Sequence, residues 1–575
     1  MSKISGLPHL PCDAIKSDVP AVKNAITRRA ALGMLAAPAI LQAATACAAP
    51  RAASDSGRQS STERILITRA PGIVGDGVTD DSLAIMNFMS ENKGKIFTFP
   101  RGRRFLFGNI LMAGRSWNGT RIVVEEGCEC ILSPRNGAPA TLHGAWAMFG
   151  FQETDGCGVD VRGWLNGNRA NQPDNTNIHL MMLAGVEDFK LPSFRVREYQ
   201  GDGLYVTNQN QFAPYGRNSK RLTAGSIYGV NSAPAGRNLV SIISLEDAAF
   251  ATITGINVGG FVQGSYQPGG FDIEPNHAGQ LVKNIVVDSI NVSGQGQSMI
   301  AVHGRPERTD ITRGVVIARS RAINLIPATA KDQAGNLTQN GGTTLKLRWC
   351  EDVAIGDHAG HHRASHGIGV EMVLVTRPKV RARVSRVHTA LATSAGGTVL
   401  KTITDPDIVV DANDICRYGH SLTDIKGGRI GGRLSDPTDG TYYAGGRFGV
   451  IGTAGGTLAN TVLSVSMAGH RNWTRSYRHD GAVYADAVIA DCDLSGSAWA
   501  GQVQQVGDMQ VPRRNVAGVT GMARKPVGGN WKAGDFVAAT VATAASGKAL
   551  LGWKRLTNGN RHVLDTDWKA VWGRR

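Results

Sequence analysis

Gly270-Phe271-Asp272-Ile273-Glu274 reads as one short β-strand. Side chains alternate along a strand, so Phe271 and Ile273 share one face and Asp272 and Glu274 the other. The same pattern recurs in Gly203-Leu204-Tyr205-Val206-Thr207, Leu239-Val240-Ser241-Ile242-Ile243 and Met299-Ile300-Ala301-Val302-His303. It returns in Thr344-Leu345-Lys346-Leu347-Arg348 and Gly367-Ile368-Gly369-Val370-Glu371. Aligned on the second residue of each, the six segments step by 36, 31, 29, 45 and 23 residues. A solenoid coil takes roughly 20–30 residues and puts any excess into loops. Further strands, such as Ile285-Val286-Val287 and Val315-Val316-Ile317, fall between the segments.

Composition agrees with stacked coils. Glycine accounts for 72 of 575 residues, well above the usual ~7%, as turns between many short strands require. The 42% hydrophobic content argues against disorder. The glycines lack the three-residue period of collagen. Outside one N-terminal candidate, no apolar run reaches the ~20 residues of a membrane span. A β-sandwich is the competing fold class.

The start of the chain adds a second signal. Val74-Gly75-Asp76-Gly77-Val78-Thr79-Asp80-Asp81 is a turn with capping residues. It precedes a short helical pattern, Ser82 to Met89, and the strand-like Phe97-Thr98-Phe99-Pro100-Arg101-Gly102. This arrangement resembles the opening segment of the pectate-lyase superfamily. So do Gly269-Gly270-Phe271-Asp272-Ile273-Glu274-Pro275-Asn276 and Gly236-Arg237-Asn238-Leu239-Val240-Ser241-Ile242. The resemblance covers roughly residues 65 to 420. It implies an all-β chain, a right-handed parallel β-helix with a short N-terminal capping helix. It leaves the reaction open, since lyases, hydrolases, epimerases and phage tailspikes share the fold. The coils lack the polygalacturonase strings, and Gly304-Arg305-Pro306-Glu307-Arg308 only echoes the Arg-x-Pro-x-x-Arg of pectate lyases.

Stacking the six strands in this register builds two outward columns. The first runs Tyr205, Ser241, Asp272, Ala301, Lys346, Gly369; the second runs Thr207, Ile243, Glu274, His303, Arg348, Glu371. Asp272 and Glu274 lie two residues apart on one strand, about 6.5–7 Å at Cα. With His303 they are the candidate catalytic groups; Tyr205, Arg237, Lys346, Arg348 and Glu371 are the candidate substrate-binding groups. Two carboxylates at such a separation suit glycoside hydrolysis. The same acids beside His303, Lys346 and Arg348 suit β-elimination, in which a base takes a proton and cations stabilise the enolate. The cationic surroundings favour elimination on an acidic glycan. Ca²⁺ on Asp272 and Glu274 is a weaker alternative, because only two acids are visible. A solvated ladder of alternating charge is the non-functional alternative. An adhesive face without catalysis is the non-enzymatic one.

His358, His361, His362 and His366 cluster on a glycine-rich stretch read as a turn, where an exposed polar loop competes with metal binding. Asp202, after Gly201, reads as a structural residue. Cys128-x-Cys130 is too tight for a zinc pair. Cys157 can bridge to either in an oxidising compartment, whereas the other cysteines read as buried thiols.

Residues 1–48 read as a twin-arginine export signal. Arg28-Arg29 precedes a short apolar stretch, Leu32 to Ala46, that ends in small residues. Ala44-Thr45-Ala46 offers a cleavage site, and Cys47 after it loosely resembles a lipidation site. The expected location is the periplasm, the cell surface or the medium. Cleavage removes five basic and two acidic residues and lowers the net charge from +16 to about +13. Such a charge favours an anionic partner. The basic residues are spread along the chain, so a polysaccharide is expected and nucleic acid is not. Trimers are common among such folds.

The expected organisation is a linker at 49–64, the β-helix at 65–510, a linker at 511–530 and a small β module at 531–575. The last segment holds Trp531, Trp553, Trp568 and Trp572. In so small a module tryptophans serve more often as core than as sugar platforms.

Overall fold

The computed structural model describes residues 63–135, 145–173, 177–209, 216–327 (263, 264 and 278 excepted), 342–363, 367–393 and 402–435. It also describes short strand segments between 448 and 489 and between 536 and 574. The proposed export signal, its cleavage site and Cys47, together with Trp531, His366 and Cys492, lie outside the described residues.

The chain is almost entirely β and winds as a right-handed parallel β-helix. One chain of parallel pairings runs through Leu204–Thr207, Val240–Ile242, Phe271–Ile273, Ser298–His303, Thr343–Glu351 and Ile368–Thr376. Its inward residues stack in two columns. Leu204, Val240, Phe271, Ile300, Leu345 and Val370 form one, and Val206, Ile242, Ile273, Val302, Leu347 and Met372 form the other. All twelve are fully buried, and each such side chain contributes roughly 1.5–3 kcal/mol by leaving water. Toward the N-terminal end the core turns aromatic, with Phe99, Phe105, Phe107 and Phe149 packed at centroid distances of 5.3–6.0 Å.

Ser82–Glu91 is the short helix expected there, and its buried Ile85 and Met89 join the main core. Its lead-in turn is held by acids. Asp81 accepts from the backbone of Val74 and Gly75, while Asp80 accepts from Ser82 N at the helix start. Gly75 and Gly77 adopt φ of 65° and 80° in this turn, a region that favours glycine. Gly270 serves differently: a Cβ there would lie 2.3 Å from Val292 Cγ1. Coils approach that closely only without a side chain.

The first five of the six strands match the sequence register, and the last departs from it. Leu345 pairs with Val370, where Ile368 was expected. The true step is therefore 25 residues, and Glu371 lies beside Lys346. A slip of one residue would turn apolar side chains outward, but a slip of two preserves the alternation. Gly367-Ile368-Gly369-Val370 satisfies both registers, so the pattern alone does not choose.

The near-C-terminal strands Phe536–Ala538, Ala544–Ala545, Lys548–Arg555 and Trp568–Arg574 form a separate antiparallel sheet. Trp553 and Trp568 are buried, so these two tryptophans serve as core. Cys128, Cys130, Cys157 and Cys350 are free, buried thiols. The disulfide considered for Cys157 does not form. Its Sγ lies 3.2 Å from Trp117 O, and it precedes a strand paired elsewhere than the one holding Cys130.

Candidate functional site

The outward face around Asp272 is covered. Asp272 is 2% exposed, Ser241 1%, Glu371 3%, Tyr205 5% and Lys346 8%, so this is no solvated charge ladder. Glu274 and His303 are half-buried at its margin.

A second polar row accompanies the predicted columns. It lies two residues before the first inward position of each strand. His179, Asp202 and Asn238 occupy it in consecutive coils. The Asp202 backbone N–H donates to His179 Nδ1 at 3.0 Å. The Asn238 backbone N–H donates to Asp202 Oδ1 at 3.0 Å. The Asn238 side-chain amide then donates to Ser241 Oγ at 2.8 Å and to Asp272 Oδ2 at 3.1 Å. One asparagine thus grips both carboxyl groups. Sequence reading missed His179 and Asn238 and took Asp202 as structural. The available signal was the shared offset, polar residues two positions before Met181, Leu204 and Val240.

Charge is arranged tightly here. Burial pushes Asp272 well above the usual carboxylate range, and Glu274 and Asp202 push the same way against Arg237 and the Asn238 bond. Arg237 Nε stands 3.7 Å from Asp202 Oδ1. Its pKa is raised by Asp202 despite burial, with Tyr205, Asp272 and Glu274 adding to the effect. Burial pulls His179 down to about 4. Its neutral ring accepts at Nδ1, so the 3.3 Å approach of Asp202 Oδ2 is not an ion pair. Asp202 Oδ2, Asp272 Oδ1, Arg237 Nε and Asn238 Oδ1 are buried and have no hydrogen-bond partner. Unsatisfied buried polar atoms are rare and costly, and four in one cluster make this the candidate site.

The remaining candidates split off from this cluster. Tyr205 stacks on His179 at 4.8 Å and belongs to a small buried patch with Met182 and Ile243. It is packed more than displayed. Glu371 binds both Lys346, at 3.7 Å, and Arg348, and it accepts from Thr343 Oγ1 at 3.2 Å. The two-residue shift in register makes this triad. It uses charge that was expected to face substrate. Burial holds Lys346 below the usual lysine range. Burial, Lys346 and Arg348 also hold His303 well below its usual value, and its Nε2 has no partner. Beside it, Trp349 adopts φ 53°, an unusual conformation for a bulky residue.

Ca²⁺ gains no support from the geometry. Among the described residues no three His, Cys, Asp or Glu side chains converge to hold a metal ion. Arg237 already supplies positive charge beside Asp202. His358, His361 and His362 lie on a strand, Ala354–His362, where a turn was expected. They engage separate partners. His358 bonds Ser320 and Thr344, His361 bonds Ser385, and His362 bonds Ile368 O.

No protein-family model matches the chain, and no curated protein does. Solved structures similar to it are remote. An iota-carrageenase bound to iota-carrageenan fragments is 12% identical, with TM-score 0.32 over 52% of this chain and 57% of that one. An exopolygalacturonase from Thermotoga maritima is 10% identical, with TM-score 0.36 over 74% and 93%. The tailspike protein of E. coli bacteriophage HK620 is 12% identical, with TM-score 0.42 over 74% and 79%. The chain thus spans little more than half of the carrageenase. Likeness at this level carries nothing about the reaction, and the fold rests on the registers above. Among the described residues no helix is long and apolar enough to cross a membrane.

Proposed function

We propose that the protein cleaves an acidic polysaccharide by acid–base hydrolysis. The carrying observation is the buried Asp272 carboxyl, its pKa raised, gripped by Asn238 beside Asp202 and Glu274. A carboxyl that holds its proton more tightly than usual suits donation of that proton to a leaving glycosidic oxygen. Asp202 or Glu274 serves as the opposing base. Arg237 neutralises charge on the sugar. Glu274 and Arg348 are less buried than Asp272 and form the side from which substrate approaches in this reading. β-Elimination is the second reading. It is favoured by Lys346, whose lowered pKa suits a base. Glu371 weighs against it, because it engages both Lys346 and Arg348. Export by the twin-arginine route belongs to the same proposal and places the enzyme outside the cytoplasm.

A panel of acidic and neutral polysaccharides separates these readings. New reducing ends without unsaturated-uronate absorbance support hydrolysis. Ends together with that absorbance support elimination. Retained binding with neither signal overturns cleavage and leaves an adhesive role.

A further inference from the structure

A cleft lies on another face of the coils. The strands Arg104–Phe107, Glu129–Leu132, Trp164–Asn166 and Lys190–Arg197 pair side by side there. They present a cleft of about 490 Å³ whose lining includes Arg104, Arg162, Arg195, Arg197 and Trp164. Only two acids, Glu126 and Glu129, line it against these four arginines.

The arginines are not equivalent. Arg104 and Arg197 both bond Glu129, which also accepts from Asn166 at 2.7 Å. Burial pushes Glu129 up, but these bonds hold it below its usual value. That triad is internally neutralised apart from one charge. Arg162 is paired with Asp160. Arg195 has no carboxylate partner among the described residues. It donates to the Arg162 carbonyl at 2.9 Å and lies 4.3 Å from the Trp164 ring centre. Tyr228 packs against the same Trp164 ring, 5.9 Å between ring centres. Stacking fixes the guanidinium plane and leaves its remaining donors for a planar or tetrahedral anion.

We propose that this cleft binds the anionic group of an acidic glycan, a carboxylate or sulfate ester, with Arg195 as the principal contact. The inference rests on the acidic-glycan reading above and adds a holding site away from Asp272. The site would keep a long chain on the enzyme while its other end is cut.

Calorimetric titration tests it with intact Asp272→Asn protein, which binds without turnover. The probes are a uronate hexasaccharide, a sulfated hexasaccharide, a neutral hexasaccharide and inorganic sulfate. We expect Arg195→Ala to weaken one class of binding at least tenfold for one or both anionic sugars. Arg195→Lys should recover only part of it, and circular dichroism should stay unchanged. The neutral sugar should be indifferent to Arg195. Affinity for both anionic sugars that is unchanged by Arg195→Ala overturns the proposal. Inorganic sulfate binding as tightly as either anionic sugar overturns it as a glycan site. Absence of turnover in the parent protein, with Arg195-dependent binding retained, would sink the hydrolase reading and leave this cleft standing.

Discussion

The Asn238 side-chain amide donates to the Asp272 carboxyl at 3.1 Å while the backbone N–H of Asn238 donates to Asp202. Asn238 is therefore a positioning residue. Its bond is one of the forces that hold Asp272 down against burial. Asn238→Ala should lower kcat and move the alkaline limb of the rate profile to higher pH, because the acid then keeps its proton longer. A lowered rate with an unmoved limb would assign Asn238 a purely structural role.

Asp272 also makes a stability prediction. Its folded pKa lies above its unfolded value, so the folded state holds the proton more tightly. That stabilisation is full below the unfolded pKa and is lost as pH rises through the folded one. Asp272→Asn removes the buried charge, and it should raise Tm by roughly 1–3 °C at alkaline pH, with the gain fading in acid. Melting curves across the pH range check both the sign and the fading.

Glu371 ties Lys346 and Arg348 together with its carboxylate buried. Glu371→Ala leaves two cations poorly compensated, and we expect a loss of about 3–5 kcal/mol by urea unfolding. Lys346→Met combined with Glu371→Leu should restore much of that loss. If Glu371→Ala costs under about 1 kcal/mol, the pair behaves as an exposed one.

His358 is fully buried and held at about 4 by burial, which Asp357 opposes and His362 reinforces. The unfolded chain takes its proton near pH 6.5, so stability falls as pH drops from there toward 4. The share from His358 is on the order of 3 kcal/mol. His358→Gln should flatten that decline in denaturant midpoints measured between pH 7 and 4. An unchanged slope would place the acid sensitivity elsewhere, for example at His179.

Much of the fold was legible because alternation and glycine turns are local properties. Phe271 and Ile273 point inward wherever the strand pairs. The two-residue slip at Ile368 was not legible, since both registers bury apolar residues. Asp272 and Glu274 could be read as neighbours from their columns. His179, Asp202 and Asn238 could not, because Asp202 and Asn238 precede their strands and His179 sits in a strand buried on both faces. Their function as a ladder depends on backbone donors that only the stacked coils bring together. Burial was equally hidden. Asp272 reads as outward from its parity, yet it is covered, and that cover raises its pKa.

Reducing-end release by Asp272→Asn, measured beside the unmodified protein on the best polysaccharide of the panel, tests the central claim most directly. The account predicts a loss of at least about a hundredfold in kcat, with substrate binding retained. Full activity in Asp272→Asn would contradict it and move the chemistry away from this face of the coils.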